Sequence, residues 1–315
     1  MGFIKDLDFD EVRDNFLVKS DRKKVWERQL EMWREVDRIC RKHGIRYWAT
    51  YGTLLGAARH GGFIPWYDGF ELCIMRPEYN RFRQVMEEEF LLGGGVFEVR
   101  HVNFTRIIIS HSQTTLLAKS DFTDLQGAKG LVIEIYPLDA APDGTAESVF
   151  AANGINELFV TMYDYPTVEK YLAECNEPAN ELRVLVAFHA LDDKDKQLAF
   201  LDKYAEGVFD WSSAVNRPEK SAEKISQPKD WYRKTIYLPF ESIELPAPAD
   251  YDKVLRAVYG DWHRFRNDMK FRLGVVHSAD IPYKESLAQL NLKMILETFE
   301  KNERKDKLSA AEEAD

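Results

Sequence analysis

Hydrophobic residues recur at intervals of three and four between Asp21 and His43, which is the spacing of an amphipathic helix. Gly44 is placed to end this helix, because glycine adopts the left-handed backbone of a helix C-terminus at little cost. The apolar run Ile45 to Tyr51 then predicts a strand, and Gly52-Thr53 predicts a turn into a short helix. The chain therefore opens with a helix, a strand, a loop and a second helix.

The same pattern continues through the first half of the chain. Phe70 to Met75 predicts a strand, Pro77 to about Phe90 a helix, and Gly93 to Gly95 a turn. Four further apolar runs predict strands at 96–101, 106–110, 114–119 and 131–136. A mixed sheet flanked by helices is the simplest assembly of these elements, so we predict an α/β (α+β) fold.

After Pro142 the spacing becomes mostly helical. Helices are predicted at 147–158, 168–175 and 180–207, a return to strand at 231–245, and a last helix at 249–259. We divide the chain into a core with its N-terminal helix (1–142), a mostly helical part packed on that core (143–301) and a polar, charged tail (302–315) predicted to be disordered.

Composition limits the classes of function. The chain has 315 residues, 45% of them hydrophobic, which suffices for a full core. Its net charge of −10 argues against general nucleic-acid binding, which relies on clustered Lys and Arg. No signal peptide or transmembrane segment is apparent, so we expect a cytoplasmic protein. Three widely spaced cysteines suit neither a disulfide framework nor a zinc site.

Glycines mark a candidate phosphate-binding loop. Gly52 and Gly56 frame the start of the short helix, where backbone N–H groups can approach an anion. Arg59 can add a guanidinium, and Trp48, Trp66 and Tyr67 can each offer an aromatic face to a base or sugar. The predicted ligand-binding residues are therefore Gly52, Thr53, Leu54, Gly56, Arg59 and Trp66. The alternative is an ordinary turn with a solvated arginine and a core tryptophan.

Carboxylates on two predicted strands form a candidate metal site. Asp68 and Glu71 lie at the start of one strand, and Glu134 interrupts an apolar strand further along. Oxygen ligands of this kind suit Mg²⁺ or Mn²⁺. Strand periodicity places Glu71 on the same face as Gly69, so Asp68 joins it only if the strand starts later or bulges. Glu134 can equally form a buried salt bridge, and Asp139 can be a turn or cap residue.

Longer motifs carry a family resemblance. Residues 51–75, YGTLLGAARHGGFIPWYDGFELCIM, resemble the LicD/fukutin signature GTLLGxxRHxGFIPWDDDxDxxM. Three other segments are also similar to that family: the stretch from Ile39 to Tyr47, the segment GLVIEIYPLD (130–139), and the stretch from Pro246 to Trp262. By position, the family's metal-binding aspartates fall on Gly69, Glu71 and Glu134.

The resemblance implies a nucleotidyltransferase-like fold and a phosphotransferase. Such an enzyme moves phosphocholine or an alditol phosphate from a CDP-linked donor to a sugar hydroxyl of a cell-surface glycan, as in lipopolysaccharide or teichoic acid biosynthesis. Glu71, Glu134 and Asp68 would then hold Mg²⁺ or Mn²⁺, and Asp68 or Asp139 would take the acceptor's proton. Two alternatives remain: a pseudoenzyme that only binds, as Gly69 suggests, and a nucleotidyltransferase acting on another substrate.

Overall fold

The computed structural model describes most of the first 141 residues and several later stretches. The described residues are 2–67, 69–92, 95–102, 106–117, 129–141, 214–216, 226–265 and 276–289, with isolated positions at 186, 190, 191 and 196. The helices predicted at 147–158, 168–175 and 180–207 lie outside these ranges except for the isolated positions, and so does the predicted disordered tail. The division of the chain into three parts stays a prediction.

The described helices and strands lie in the first 141 residues and again from residue 214 onward. The helices are α1 (Ser20–His43), α2 (Tyr51–His60), α3 (Arg76–Leu92), α4 (Tyr251–Tyr259) and α5 (Tyr283–Gln289), with a short 3-10 helix at Lys229–Tyr232. The strands are β1 (Glu11–Arg13), β2 (Phe16–Val18), β3 (Trp48–Ala49), β4 (Glu71–Met75), β5 (Phe97–Val102), β6 (Arg106–His111), β7 (Thr115–Leu117), β8 (Val132–Ala141), β9 (Ala214–Asn216), β10 (Ser226–Pro228), β11 (Thr235–Phe240), β12 (Ile243–Pro248) and β13 (Val276–Ser278).

The central sheet has seven strands of mixed direction. The order β10-β9-β8-β4-β3 forms its main path, and β5 joins through β6, which pairs with β8. Strands β4 and β8 are parallel neighbours, whereas β3, β6 and β9 are antiparallel to their partners. This arrangement of a mixed sheet with helices confirms the predicted fold class. The two strands that carry the predicted carboxylates lie side by side at its centre.

Helix α1 matches its prediction closely. It ends at Gly44, whose φ of 65° lies in the left-handed region, and its buried stripe includes Trp26, Leu30 and Val36. Burying these large apolar side chains against the sheet stabilises the fold by about 2 kcal/mol each. Of the described residues, none forms a helix long and apolar enough to cross a membrane.

The loop before α2 differs from the prediction. Strand β3 has only two residues, and α2 already begins at Tyr51, so that Gly52 and Thr53 are helical rather than part of a turn. Tyr51 has a φ of 44°, a backbone strained for a residue with a side chain. The chain changes direction at this residue, which shortens the strand and brings the first turn of α2 against β4.

A hairpin from the second half completes the core around α2. Strands β11 and β12 pair antiparallel, and the ring of Phe240 lies 4.8 Å from that of Phe63 and 5.8 Å from that of Phe70. At the tip, Glu241 donates its N–H to the carbonyl of Gly61 at 2.7 Å, and its carboxylate bonds Arg13. The hairpin therefore joins α2, the residues before β4 and the N-terminal hairpin β1–β2.

Candidate functional site

The hydrogen bonds of one residue, Thr53, join the first turn of α2 to the start of β4. Its hydroxyl donates to Glu71 Oε2 at 2.9 Å and accepts the N–H of Glu71 at 2.7 Å. The backbone N–H of Thr53 also donates to Glu71 Oε2, at 3.1 Å. Three hydrogen bonds therefore fix the predicted phosphate loop to the predicted metal-binding strand.

Glu71 is buried, with 2% of its surface exposed. Burial is the largest cause that raises the pKa of Glu71 to about 7; hydrogen bonds from Tyr67 and Thr53 oppose this, and the charge of Glu134 adds to it. Carboxylates in active sites often have pKa values raised toward neutrality for such reasons. Here the group is held in the interior, where water does not solvate its charge.

Glu134 faces the same region from the neighbouring strand. Glu71 and Glu134 are register partners in the parallel pair of β4 and β8, which places the two carboxylates side by side. The guanidinium of Arg106 on β6 contacts Glu134 Oε1 at 2.6 Å, and the Tyr136 hydroxyl donates to Glu134 Oε2 at 3.2 Å. The predicted alternative of a salt bridge at Glu134 is thus present, in a side chain that keeps 16% exposure.

The ring of Tyr67 fills the space between Gly52 of α2 and Gly69, just before β4. Its hydroxyl donates a short hydrogen bond to Glu71 Oε1. A Cβ atom at Gly52 would lie 2.7 Å from Tyr67 Cδ1, and one at Gly69 would lie 2.7 Å from Tyr67 Cε1. Both distances are far below an ordinary carbon–carbon contact of about 3.5 Å. Glycine is therefore required at 52 and 69 while the ring of Tyr67 stands there.

Two other predicted ligand-binding residues, Arg59 and Trp66, contact residues outside the Glu71–Glu134 pair. Arg59 donates to the carbonyl of Trp262 at 3.1 Å, and its guanidinium lies 4.9 Å from the ring centre of Phe265. Trp66 packs edge-on against His60 with ring centres 5.9 Å apart. A role for Arg59 or Trp66 in binding a nucleotide stays a prediction, since neither contacts Glu71 or Glu134 in the hydrogen bonds described.

Leu54 and Gly56 are interior residues of α2. Leu54 is 1% exposed, and its N–H donates to the carbonyl of Thr50 at 3.0 Å, so it is already bonded within the helix. A Cβ atom at Gly56 would lie 3.4 Å from the ring of Phe240 and closer still to the carbonyl oxygen of Gly62. Both positions serve close packing here.

The structure gives little or nothing on two of the predicted carboxylates, Asp68 and Asp139. Asp68 lies outside the described residues. The backbone of Asp139 is in β8, paired with Asn216 of β9, so Asp139 belongs to a strand rather than to a turn or cap. Its side chain lies outside the described part. The roles predicted for both residues stay predictions.

Two residues of the site, Arg106 and Tyr136, were missed in the sequence, and Tyr67 was predicted only as an aromatic face for a base or sugar. Tyr136 could have been found, because it lies two positions from Glu134 on the same strand and so shares its face. Arg106 opens a predicted strand, but only the pairing of Ile108 with Glu134 brings β6 beside β8. The contact of Tyr67 with Gly52 and Gly69 depends on the path of the loop, which spacing does not encode.

The residues present do not fit a divalent cation as they stand. Each side-chain oxygen of Glu71 and Glu134 already has a partner: Tyr67 and Thr53 donate to Glu71, Tyr136 donates to Glu134 Oε2, and Arg106 forms an ion pair with Glu134 Oε1. Within the described ranges no cluster of three or more His, Cys, Asp or Glu side chains could hold a metal. The predicted Mg²⁺ or Mn²⁺ would have to compete with these contacts, above all with the Arg106 guanidinium at Glu134.

Known proteins resemble the chain in this region and beyond it. The LicD/FKTN/FKRP nucleotidyltransferase domain matches residues 44–137, which include α2, β4 and Glu134. A lipopolysaccharide cholinephosphotransferase LicD of Haemophilus influenzae is 28% identical over 241 residues, covering 71% of this chain and 84% of that protein. An uncharacterized protein of Rickettsia prowazekii is 26% identical over 152 residues, covering 45% of this chain and 55% of its own length.

Proposed function

Since this chain belongs to the LicD family, we propose that it is a phosphotransferase that moves a substituted phosphate from a nucleotide-linked donor to a hydroxyl of a cell-surface glycan. Phosphocholine or an alditol phosphate on a CDP-linked donor, and a lipopolysaccharide or teichoic acid acceptor, are the specific substrates proposed. The observation that supports this best is the pairing of Glu71 with Glu134 on adjacent parallel strands beside the first turn of α2.

The proposed reaction is an in-line displacement at phosphorus. The acceptor oxygen forms a new P–O bond, the P–O bond to the nucleoside monophosphate breaks, and the acceptor proton passes to a carboxylate. Arg106 offers a guanidinium, 33% exposed, that can exchange Glu134 for a phosphate oxygen. Glu134 is then released from its ion pair and is available as a proton acceptor, alongside Asp68 and Asp139, which stay candidates.

Ligand-induced stabilisation tests the donor. Thermal unfolding is measured with CMP, CDP-choline and CDP-ribitol; a ligand at 100 times its dissociation constant adds about 2.7 kcal/mol, which raises the midpoint by several degrees. We expect the shift to be lost in Arg106→Met and retained in Arg256→Met, because Arg256 pairs with Asp252 on the surface of α4. If none of the three nucleotides stabilises the wild-type chain, the CDP-donor proposal is wrong.

A second candidate function is a non-catalytic binding module. The contacts that favour it are those of Tyr67, whose ring covers Gly52 and whose hydroxyl engages Glu71. Release of CMP from the stabilising donor, with lipopolysaccharide as acceptor, separates the two candidates: turnover supports the transferase, whereas stabilisation without CMP release supports the binding module. The predicted cytoplasmic location stays a prediction under both.

A further inference from the structure

Gly69 lies where the LicD/fukutin signature has an aspartate, and the side chains around it explain why the residue here is glycine. A Cβ atom there would lie 2.7 Å from Tyr67 Cε1 and 2.8 Å from the Tyr67 hydroxyl oxygen, and closer still to Glu71 Oε1. No carboxylate can extend from position 69 while Tyr67 keeps this place. The space next to Glu71 is filled by a neutral hydroxyl.

The same ring also meets the first turn of α2. A Cβ atom at Gly52 would lie 2.7 Å from Tyr67 Cδ1 and 2.8 Å from Cζ. Tyr67 thus lies between two glycines, one in the first turn of α2 and one just before β4. Because both positions lack side chains, a flat ring fits between them and brings its hydroxyl to the buried carboxylate.

Positive charge at this site comes from a side chain. The Arg106 guanidinium lies 2.6 Å from Glu134 Oε1, and Tyr136 donates to the other oxygen of the same carboxylate. A divalent cation at Glu134 would be repelled by this guanidinium and would have to displace it. Arg106 therefore occupies the carboxylate oxygen that a cation would bind, Glu134 Oε1, and supplies the positive charge that a cation would bring.

We propose that this chain has replaced a divalent-cation site with a cation-independent one, in which Tyr67 occupies the coordination space at Glu71 and Arg106 supplies the positive charge at Glu134. Tyr67 and Gly69 are the matching departures from the family signature, and Gly52, which the signature shares, leaves room for the Tyr67 ring. The inference concerns cation binding alone and does not depend on which substrates the chain uses.

Direct Mn²⁺ binding tests the proposal without any assay of activity. Free Mn²⁺ is followed by electron paramagnetic resonance during titration of the full chain, alone and with CDP. Four proteins are compared: wild type, Glu71→Gln, Gly69→Asp, and the double variant Tyr67→Ala/Gly69→Asp. The control Tyr237→Ala removes a half-exposed tyrosine of β11 that lies outside the site.

We expect no stoichiometric Mn²⁺ binding by the wild-type chain or the Tyr237→Ala control. Gly69→Asp alone should bind weakly, because the new side chain meets Tyr67, and removal of the ring in the double variant should tighten Mn²⁺ binding at least tenfold over Gly69→Asp. Stoichiometric binding by the wild type that Glu71→Gln removes would overturn the proposal. So would a folded double variant with no gain in Mn²⁺ affinity. The wild-type measurement decides the matter even if the double variant does not fold.

Discussion

Replacing Glu71 by Gln should stabilise the protein at alkaline pH and have little effect at acid pH. The pKa of Glu71 is raised to about 7 in the folded protein, chiefly by burial, from an ordinary value of 4.5. Between these two values the folded state holds a proton that the unfolded state has lost. The stability associated with this group is therefore fully present below about pH 4.5 and is lost as the pH rises through 7.

The magnitude follows from the size of the shift. The rise in the pKa of Glu71 from 4.5 to about 7 corresponds to a loss of about 3 kcal/mol in the free energy of unfolding once the pH is well above 7. Gln keeps the shape of the protonated acid: its carbonyl can accept from Thr53, and its amide can donate to the Tyr67 hydroxyl oxygen. It carries no charge, so Glu71→Gln avoids the cost of a buried carboxylate at every pH.

Urea unfolding of wild type and variant at a series of pH values from 4.5 to 9 measures this difference. We expect the gain from Glu71→Gln to grow by about 2 to 3 kcal/mol across that range. Glu244→Gln, a change at an exposed residue of β12, serves as the matched control and should give a curve parallel to that of the wild type. Parallel curves for wild type and Glu71→Gln would show that Glu71 does not hold its proton near neutral pH and would refute the reasoning.

Three further predictions concern the surroundings of the site. Thr53→Val should lower the free energy of unfolding by about 2 to 3 kcal/mol in urea melts, because it removes both hydroxyl bonds to Glu71, whereas Thr53→Ser should restore most of it; equal losses would contradict this role. Burial, followed by the charge of Arg59, lowers the pKa of His60 to about 4, so stability should fall by about 2 kcal/mol as the pH drops from 7.5 to 5. His60→Gln should remove this loss of stability at acid pH, and an unchanged loss in the variant would show that another group titrates. Phe240→Ala should cost about 3 to 5 kcal/mol in thermal melts followed by circular dichroism, since its ring is 1% exposed; a loss below 1 kcal/mol would mean the hairpin is not part of the core.

Periodicity predicted the elements that surround the site. Helix α1 and strands β4, β6 and β8 follow from the spacing of apolar residues, because each buries a regular face. The hairpin β1–β2 was not predicted, since three-residue strands are too short for a pattern to emerge. The start of α2 at Tyr51 was also missed, because a single residue with positive φ carries no compositional signal.

The chemistry of the site was predictable only in part. Glu71 and Glu134 could be found from their positions in apolar strands, where an unexplained carboxylate is costly. Their partners could not, because Tyr67 and Arg106 reach them through the path of one loop and the order of strands in the sheet. What each carboxylate does depends on these partners, so the same two residues suggested metal ligands in the sequence and bonded, largely neutralised groups in the structure.

The tip of the β11–β12 hairpin has a consequence for biosynthesis. Glu241 bonds Gly61 and Arg13, and Phe240 covers Phe63 and Phe70, so segments made early are completed by one made about 180 residues later. At typical translation rates this interval lasts roughly 10 to 40 s. Throughout that time the nascent chain exposes the aromatic surface beside α2. A chain released before residue 240 would therefore leave these aromatic side chains uncovered, and exposed apolar surface of this kind promotes aggregation.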